Sequence, residues 1–325
     1  EKLRELWAHH PAVNETISFA NDDKVFAVSK ILRAGKFDLA LVLPNSPRSA
    51  LEAFFARIPQ RIGHARPWRN FFLTQTVPSR AEAVKMHKRT TAEIQQLIAG
   101  NKISNRQSAI GNPLAHQIHE YLHLTAALGA NPEPLAPQLT VTEAEIDIAR
   151  KKFGLEKITR PIFGLNPGAE YGPAKRWPVE KFIAAAKEIQ QRTNCVWILF
   201  GSKSDASTAA QIQSAIGNRQ SAIGLAGETS LRELMALLKL CRVLLTNDTG
   251  PMHVAAALGT PVVVPFGSTS PELTGPGLPG GLRHRLLKSD VPCSPCFLRE
   301  CPIDFRCMNG ISVECVVEAV LQTIR

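Results

Sequence analysis

The stretch Arg242–Phe266, RVLLTNDTGPMHVAAALGTPVVVPF, reads as strand, turn, helix and strand. The runs Arg242–Thr246 and Pro261–Phe266 are apolar without the in-out alternation of a half-exposed strand. They are therefore expected in a parallel sheet covered on both faces. Between them Gly250 allows a close backbone approach, and Pro251 suits the first turn of a helix over Gly250–Leu258. Such a helix starts at the carboxyl end of a parallel strand, where ligands bind in doubly wound folds. Its free N–H groups and the positive end of its dipole favour a diphosphate at the Asp248-Thr249-Gly250 turn. His253, on the first helical turn, is placed to donate to a phosphate oxygen. A plain Asp/Thr cap with a structural histidine is the competing reading.

The same rhythm runs outward in both directions. Strands are expected at Ile162–Asn166, Cys195–Phe200 and Arg283–Leu287, and helices at Val179–Gln191, Ala206–Ile216, Leu231–Leu240 and Val313–Ile324. This is a doubly wound α/β pattern. Upstream, Asp38–Leu43 reads as a buried strand and Pro47–Ile58 as a helix with proline in its first turn. Further helices are expected at Lys2–His10, Lys88–Ala99, Leu114–Leu128 and Glu143–Phe153. The proline-rich NPEPLAPQ, residues 131–138, breaks the rhythm, so the expected domains are 1–140 and 141–325.

A second loop, GLNPGAEYGPAKRWP at residues 164–178, also follows a strand. Its Gly168 backbone and Lys175 ammonium suit an anion at a strand end; a solvated basic loop capped by a packed Trp177 is the alternative. Four cysteines follow later, Cys293, Cys296, Cys301 and Cys307, spaced C-x2-C-x4-C-x5-C. That spacing permits a structural tetrahedral zinc, with free thiols or a disulfide as alternatives. His116, His119 and His123 are expected along one helix as a solvated stripe.

The heptapeptide NRQSAIG occurs twice, at Asn105–Gly111 and Asn218–Gly224, and the second copy is preceded by another SAIG. The unit SAIGNRQ is what a tandem heptanucleotide TCGGCAA encodes. Both copies are expected between structured elements, where inserted sequence is tolerated.

Bulk properties narrow the function classes. The chain has 325 residues, long enough for about two domains. Its longest apolar runs fall far short of the ~20 residues of a membrane span. The opening residues carry no signal-peptide pattern, and the seven cysteines suit a reducing compartment. A formal net charge of +10 suits an anionic partner. The basic residues are scattered and not interleaved with aromatics, which argues against nucleic acid. That also weighs against reading the cysteines as a zinc-dependent nucleic-acid module.

LNPGAEYGPAKRWP, LFGS, LAGETSL and NDTGPMHVAAALGTPVVVPFGSTSP together resemble glycosyltransferase family 9, the heptosyltransferases. VNETI at Val13–Ile17 and LVLPNSPRSAL at Leu41–Leu51 resemble its N-terminal domain. The resemblance implies a GT-B architecture: two Rossmann-like, doubly wound domains facing a cleft, donor in the second and acceptor in the first. It implies inverting transfer of heptose from ADP-L-glycero-β-D-manno-heptose to the heptosyl-Kdo2-lipid A inner core of lipopolysaccharide, with no cofactor required. The alternatives are another nucleotide sugar or acceptor, or an inactive nucleotide-binding fragment. The family pattern gives Lys175 and the Asp248-Thr249-Gly250 turn with His253 to the donor diphosphate. It places an acid after the FGS strand end on the donor ribose; here Lys203 and Ser204 intervene and Asp205 is the nearest acid. Glu228 and Thr229 fall near adenine, and Asn45, Ser46 and Arg48 toward the acceptor, with a plain helix cap as the alternative for the last three. The family's general base, an Asp after a first strand and Gly-rich turn, precedes residue 1 by this layout, in roughly 40 absent residues. The resemblance further implies a cytoplasmic monomer, peripheral to the inner leaflet of the inner membrane.

Overall fold

Among the described residues nine strands, all paired in parallel, build two separate sheets. These statements come from a computed structural model that describes residues 3–20, 22–100, 112–276 and 283–325. The smaller sheet has the order β1 (Leu39–Val42), β2 (Gln60–His64), β3 (Gln75–Val77). The larger contains β4 (Ile162–Asn166), β5 (Val196–Leu199), β6 (Ala222–Gly224), β7 (Leu244–Thr246), β8 (Val262–Phe266) and β9 (Arg285–Lys288). Its order is β6-β5-β4-β7-β8-β9.

That order positions the site. From β4 the chain winds outward through β5 to β6, then returns to lay β7 on the other flank of β4. The winding direction reverses between β4 and β7. At such a switch point the connections leave the carboxyl ends in opposite directions and open a crevice between them. β4, β5, β7 and β8 are buried along their whole lengths. This matches their unalternating apolar sequence, because helices cover both faces of the sheet. On one face the helix Val179–Thr193 buries Phe182, Ala185, Ala186 and Ile189, spaced i, i+3, i+4, i+7. There Phe163 and Trp197 meet edge to face at 5.6 Å. On the other face lie the helices Glu143–Lys152, Leu231–Leu240 and Gly250–Ala257, around Met235, Leu244 and Val264. Each large apolar side chain fully buried contributes roughly 1.5–3 kcal/mol.

The described chain forms two compact units. The first lies within residues 1–4, 15–84 and 112–135, and the second within 5–14, 85–111 and 136–325. One of the divisions falls between residues 135 and 136. Segments 5–14 and 85–100 nevertheless pack with the unit that holds the larger sheet.

Several elements differ from the sequence reading. Lys2–His10 is no helix; its described part makes one 3-10 turn, Arg4–Trp7. The helix expected from Leu114 starts at Ile118, so His116 lies outside it and accepts a hydrogen bond from the Ile118 amide at 3.2 Å. Strands β2 and β3, QRIGH and QTV, are too short and polar to stand out. The ten-residue helix Val25–Ala34, VFAVSKILRA, which packs on Pro47–Phe55, is a further element beyond the sequence reading. The second heptapeptide copy is not between elements. Ser214–Ile216 ends the helix Ala206–Ile216, and Ala222–Gly224 is strand β6, with Ala222 wholly buried. A small apolar triplet satisfies an edge strand when its neighbour β5 supplies the register Trp197↔Ala222. The first copy, 105–111, falls outside the described residues.

Candidate functional site

The two loops singled out by the sequence meet at the switch point. One leaves β4 and carries Lys175; the other leaves β7 and carries Asp248, Thr249 and Gly250. Buried amides bind the loops together. Asn247 accepts from the Trp177 backbone N–H at 2.9 Å and donates to the Pro167 carbonyl at 2.7 Å. Asn166, ending β4, donates to Thr246 Oγ1, ending β7, at 3.1 Å. Both asparagines sit in an apolar environment where an unmade hydrogen bond costs about 1–3 kcal/mol.

Lys175 Nζ lies 2.6 Å from Asp248 Oδ2, and the same oxygen accepts from Thr269 Oγ1 at 2.6 Å. Asp248 is buried. Its carboxylate is committed to holding the lysine; aimed at a diphosphate it would repel it. Lys175 Nζ also stands 4.9 Å from the Tyr171 ring centroid. Thr249 occupies the N-cap of the helix Gly250–Ala257, yet the Thr249 side chain itself makes no capping hydrogen bond to that helix. Lys175, Asp248, Thr249, Gly250 and His253 line one cavity of about 420 Å³ with Glu170, Tyr171 and Arg299. That size suits a small-molecule ligand.

Arg299 is the functional candidate that sequence reasoning missed. It comes from the cysteine loop, where its Nε donates to the Tyr171 carbonyl at 2.6 Å and its own carbonyl accepts from the Ala174 N–H at 3.0 Å. Tyr171 returns a bond from its hydroxyl to the Phe297 carbonyl at 2.7 Å. Gly172, at φ 149°, makes this possible: a Cβ there would lie 2.4 Å from the Arg299 carbonyl oxygen. The only sequence cue was the arginine inside the C-x4-C spacer.

The remaining expected donor residues lie at neighbouring strand ends. Asp205 follows β5, where Oδ2 accepts from the Ser202 N–H at 2.9 Å and from its hydroxyl at 2.6 Å. It is packed so close to Gly168 that a Cβ on that glycine would fall 2.5 Å from it. Glu228 is exposed and Thr229 half-buried after β6, beside Gly227, which donates to the Gly201 carbonyl at 2.9 Å. In the first unit Ser46 caps the helix Pro47–Phe55 by accepting from the Ser49 N–H at 3.3 Å. Arg48 pairs with Glu52 at 2.7 Å, and Asn45 Oδ1 accepts from Arg69 at 3.3 Å. Ser46 thus caps its helix, while Asn45 and Arg48 have other local partners.

Cys293, Cys296, Cys301 and Cys307 are all free and together line a second, smaller cavity. Burial raises Cys293, Cys296 and Cys307, the last pushed up to about 12. Among the described residues no three His, Cys, Asp or Glu side chains stand together as a metal site. No helix among them is long and apolar enough to cross a membrane.

Comparison with known proteins agrees with this geometry. The sequence profile of glycosyltransferase family 9 (heptosyltransferase) matches residues 25–305. Lipopolysaccharide heptosyltransferase 2 of Salmonella typhimurium is 34% identical over 282 residues, covering 84% of this chain and 74% of that protein. The enzyme of the same name from Escherichia coli is 34% identical over 289 residues, with the same coverage. The solved structure of E. coli ADP-heptose lps heptosyltransferase II superposes with a TM-score of 0.76 at 28% identity, covering 99% of this chain and 86% of that one. The α/β fold, with two parallel-sheet units, is that of the GT-B heptosyltransferases, and the chain belongs to glycosyltransferase family 9.

Proposed function

We propose that this glycosyltransferase moves heptose from ADP-L-glycero-β-D-manno-heptose to the heptosyl-Kdo2-lipid A inner core of lipopolysaccharide, inverting the anomeric centre. One observation carries the reading: Lys175, paired with the buried Asp248, shares one pocket with the start of the helix Gly250–Ala257 at the switch point of a parallel sheet. The relatives' names, lipopolysaccharide heptosyltransferases, supply the sugar and the acceptor class.

In this reading the donor diphosphate lies against the Gly250 helix start, with Lys175 and Arg299 as its cations and His253 as a donor. Charge grows on the departing ADP as the glycosidic bond breaks. Groups already aimed at that charge stabilise it more than the ground state, without reorganising. Asp248 positions Lys175 rather than touching the phosphate. Asp205 and the Glu228-Thr229 stretch sit where ribose and adenine would extend across β5 and β6. Asn45, Ser46 and Arg48 remain the acceptor-side assignment, reached after release from their present local partners. No residue between 1 and 325 is assigned as general base. The reaction needs no cofactor, and the chain works as a monomer at the cytoplasmic surface of the inner membrane, its +10 charge suiting an anionic acceptor.

The test is transfer measured with a panel of nucleotide sugars and the inner-core acceptor. Preference for ADP-heptose, lost in Lys175→Ala, supports the reading. Preference for another nucleotide sugar would replace the donor assignment while leaving the pocket in place.

A further inference from the structure

The four clustered cysteines have no role in the reaction above, yet the fold brings them to one place. Cys293, Cys296, Cys301 and Cys307 line the same small cavity, three of them buried. Ser268 Oγ, on the same lining, is buried with no hydrogen-bond partner. Backbone amides already point at sulfur: Phe305 N–H donates to Cys301 Sγ at 3.2 Å, and Leu298 and Met308 N–H groups interact with Cys296 and Cys307. Two guanidinium groups flank the cluster. Arg89 is buried, donates to the Pro292 carbonyl at 3.0 Å and lies within electrostatic reach of Cys293 and Cys296. Arg306 lines the cavity itself, sharing its charge with Asp304 at 3.0 Å. A tetrathiolate around a divalent ion carries two net negative charges, and two nearby cations offset them.

We propose that Cys293, Cys296, Cys301 and Cys307 are the ligands of one thiophilic divalent metal ion in a tetrahedral, structural site. Four sulfur ligands select zinc or iron over the hard cations. Each thiol releases its proton to solvent as its sulfur–metal bond forms, and no electron is exchanged. No three of the sulfurs stand together as a preformed metal group among the described residues, so holding an ion would require them to close across the cavity. Four protein ligands would leave no open coordination position for chemistry. Its consequence is mechanical: Arg299 lies between the second and third ligands, and its loop is bonded to Tyr171 and Ala174 on the Lys175 loop. The metal would thereby fix the wall of the pocket. That consequence rests on the functional reading above; the metal site does not.

The test is the metal content of the whole chain, purified under reducing conditions without chelator, alongside titration of accessible thiols. About one equivalent of zinc or iron per chain is expected. Zinc leaves the protein colourless, and iron gives a thiolate absorption band in the visible. Cys296→Ser with Cys301→Ser loses the metal, whereas Cys315→Ser, exposed and outside the cluster, keeps it. Should the double variant fail to fold, stripping the wild-type chain with a coloured chelator reads the same quantity. Metal release should lower the thermal midpoint and expose four more thiols. A folded chain that holds only traces of metal, even after incubation with zinc, and whose cluster thiols all titrate, would overturn the proposal. Disulfides among the four would overturn it equally. Failure of ADP binding with the metal retained would count against the functional reading alone.

Discussion

Lys175 is the residue on which the site turns. Its ammonium meets a buried carboxylate, an aromatic face and the pocket at once. Removing one such preorganised charge costs about 10²–10³-fold in kcat in comparable sites. Lys175→Ala should show that loss in a transfer assay while its thermal midpoint stays close to wild type. Asp248→Asn should do less, because the amide still holds the lysine but no longer neutralises it. Gly172 offers a second check. At φ 149°, with the Arg299 carbonyl 2.4 Å from any added Cβ, Gly172→Ala should destabilise by about 1–3 kcal/mol in chemical denaturation and weaken ADP binding. Lys175, Gly250 and His253 were legible in the sequence because strand, turn and helix are written locally. Arg299, Tyr171 and Asn247 were not. Their roles depend on hydrogen bonds to backbone far away in sequence, and residue type gives no sign of such bonds.

Elements read well where their pattern was long. The helix Leu231–Leu240 has its Ser230/Glu233 capping box and its apolar face in plain order, and Ala206–Ile216 has the bounds expected of it. β6 escaped because three residues of a repeated heptapeptide look like loop, and only pairing with β5 makes them a strand. A charged pair joins two helices of the larger unit: Arg232 grips both oxygens of Glu145, each at 2.7 Å. That fork, aided by the Thr142 cap, pulls the Glu145 carboxyl from its ordinary 4.5 to about 2. A carboxyl depressed in the folded state stabilises fully above its unfolded value and loses that contribution as pH falls through its folded value. Stability from this pair should therefore persist above pH 4.5 and decline between 4.5 and 2. Glu145→Gln should cost about 1 kcal/mol at neutral pH in urea denaturation and flatten the decline over that window.

At the scale of the whole chain, the alternation of strands and helices disclosed a doubly wound fold, but not the strand order. Which flank of β4 receives β7 is decided by packing between distant segments, and that choice creates the crevice. The same limit explains why residues 5–14 and 85–100, early in sequence, pack with the later unit. The net charge of +10 should make acceptor turnover fall as salt rises past physiological strength, with ADP binding in its part-buried pocket less affected. Calorimetric titration of ADP into the folded chain goes to the heart of the assignment, with Lys175→Ala and Asp248→Ala beside it. We expect one ADP site whose affinity falls roughly 10- to 150-fold in Lys175→Ala, as befits a lost charged hydrogen bond, and falls also in Asp248→Ala. Unchanged affinity in both folded variants, or no ADP binding by a folded wild-type chain, would contradict a donor site between β4 and β7.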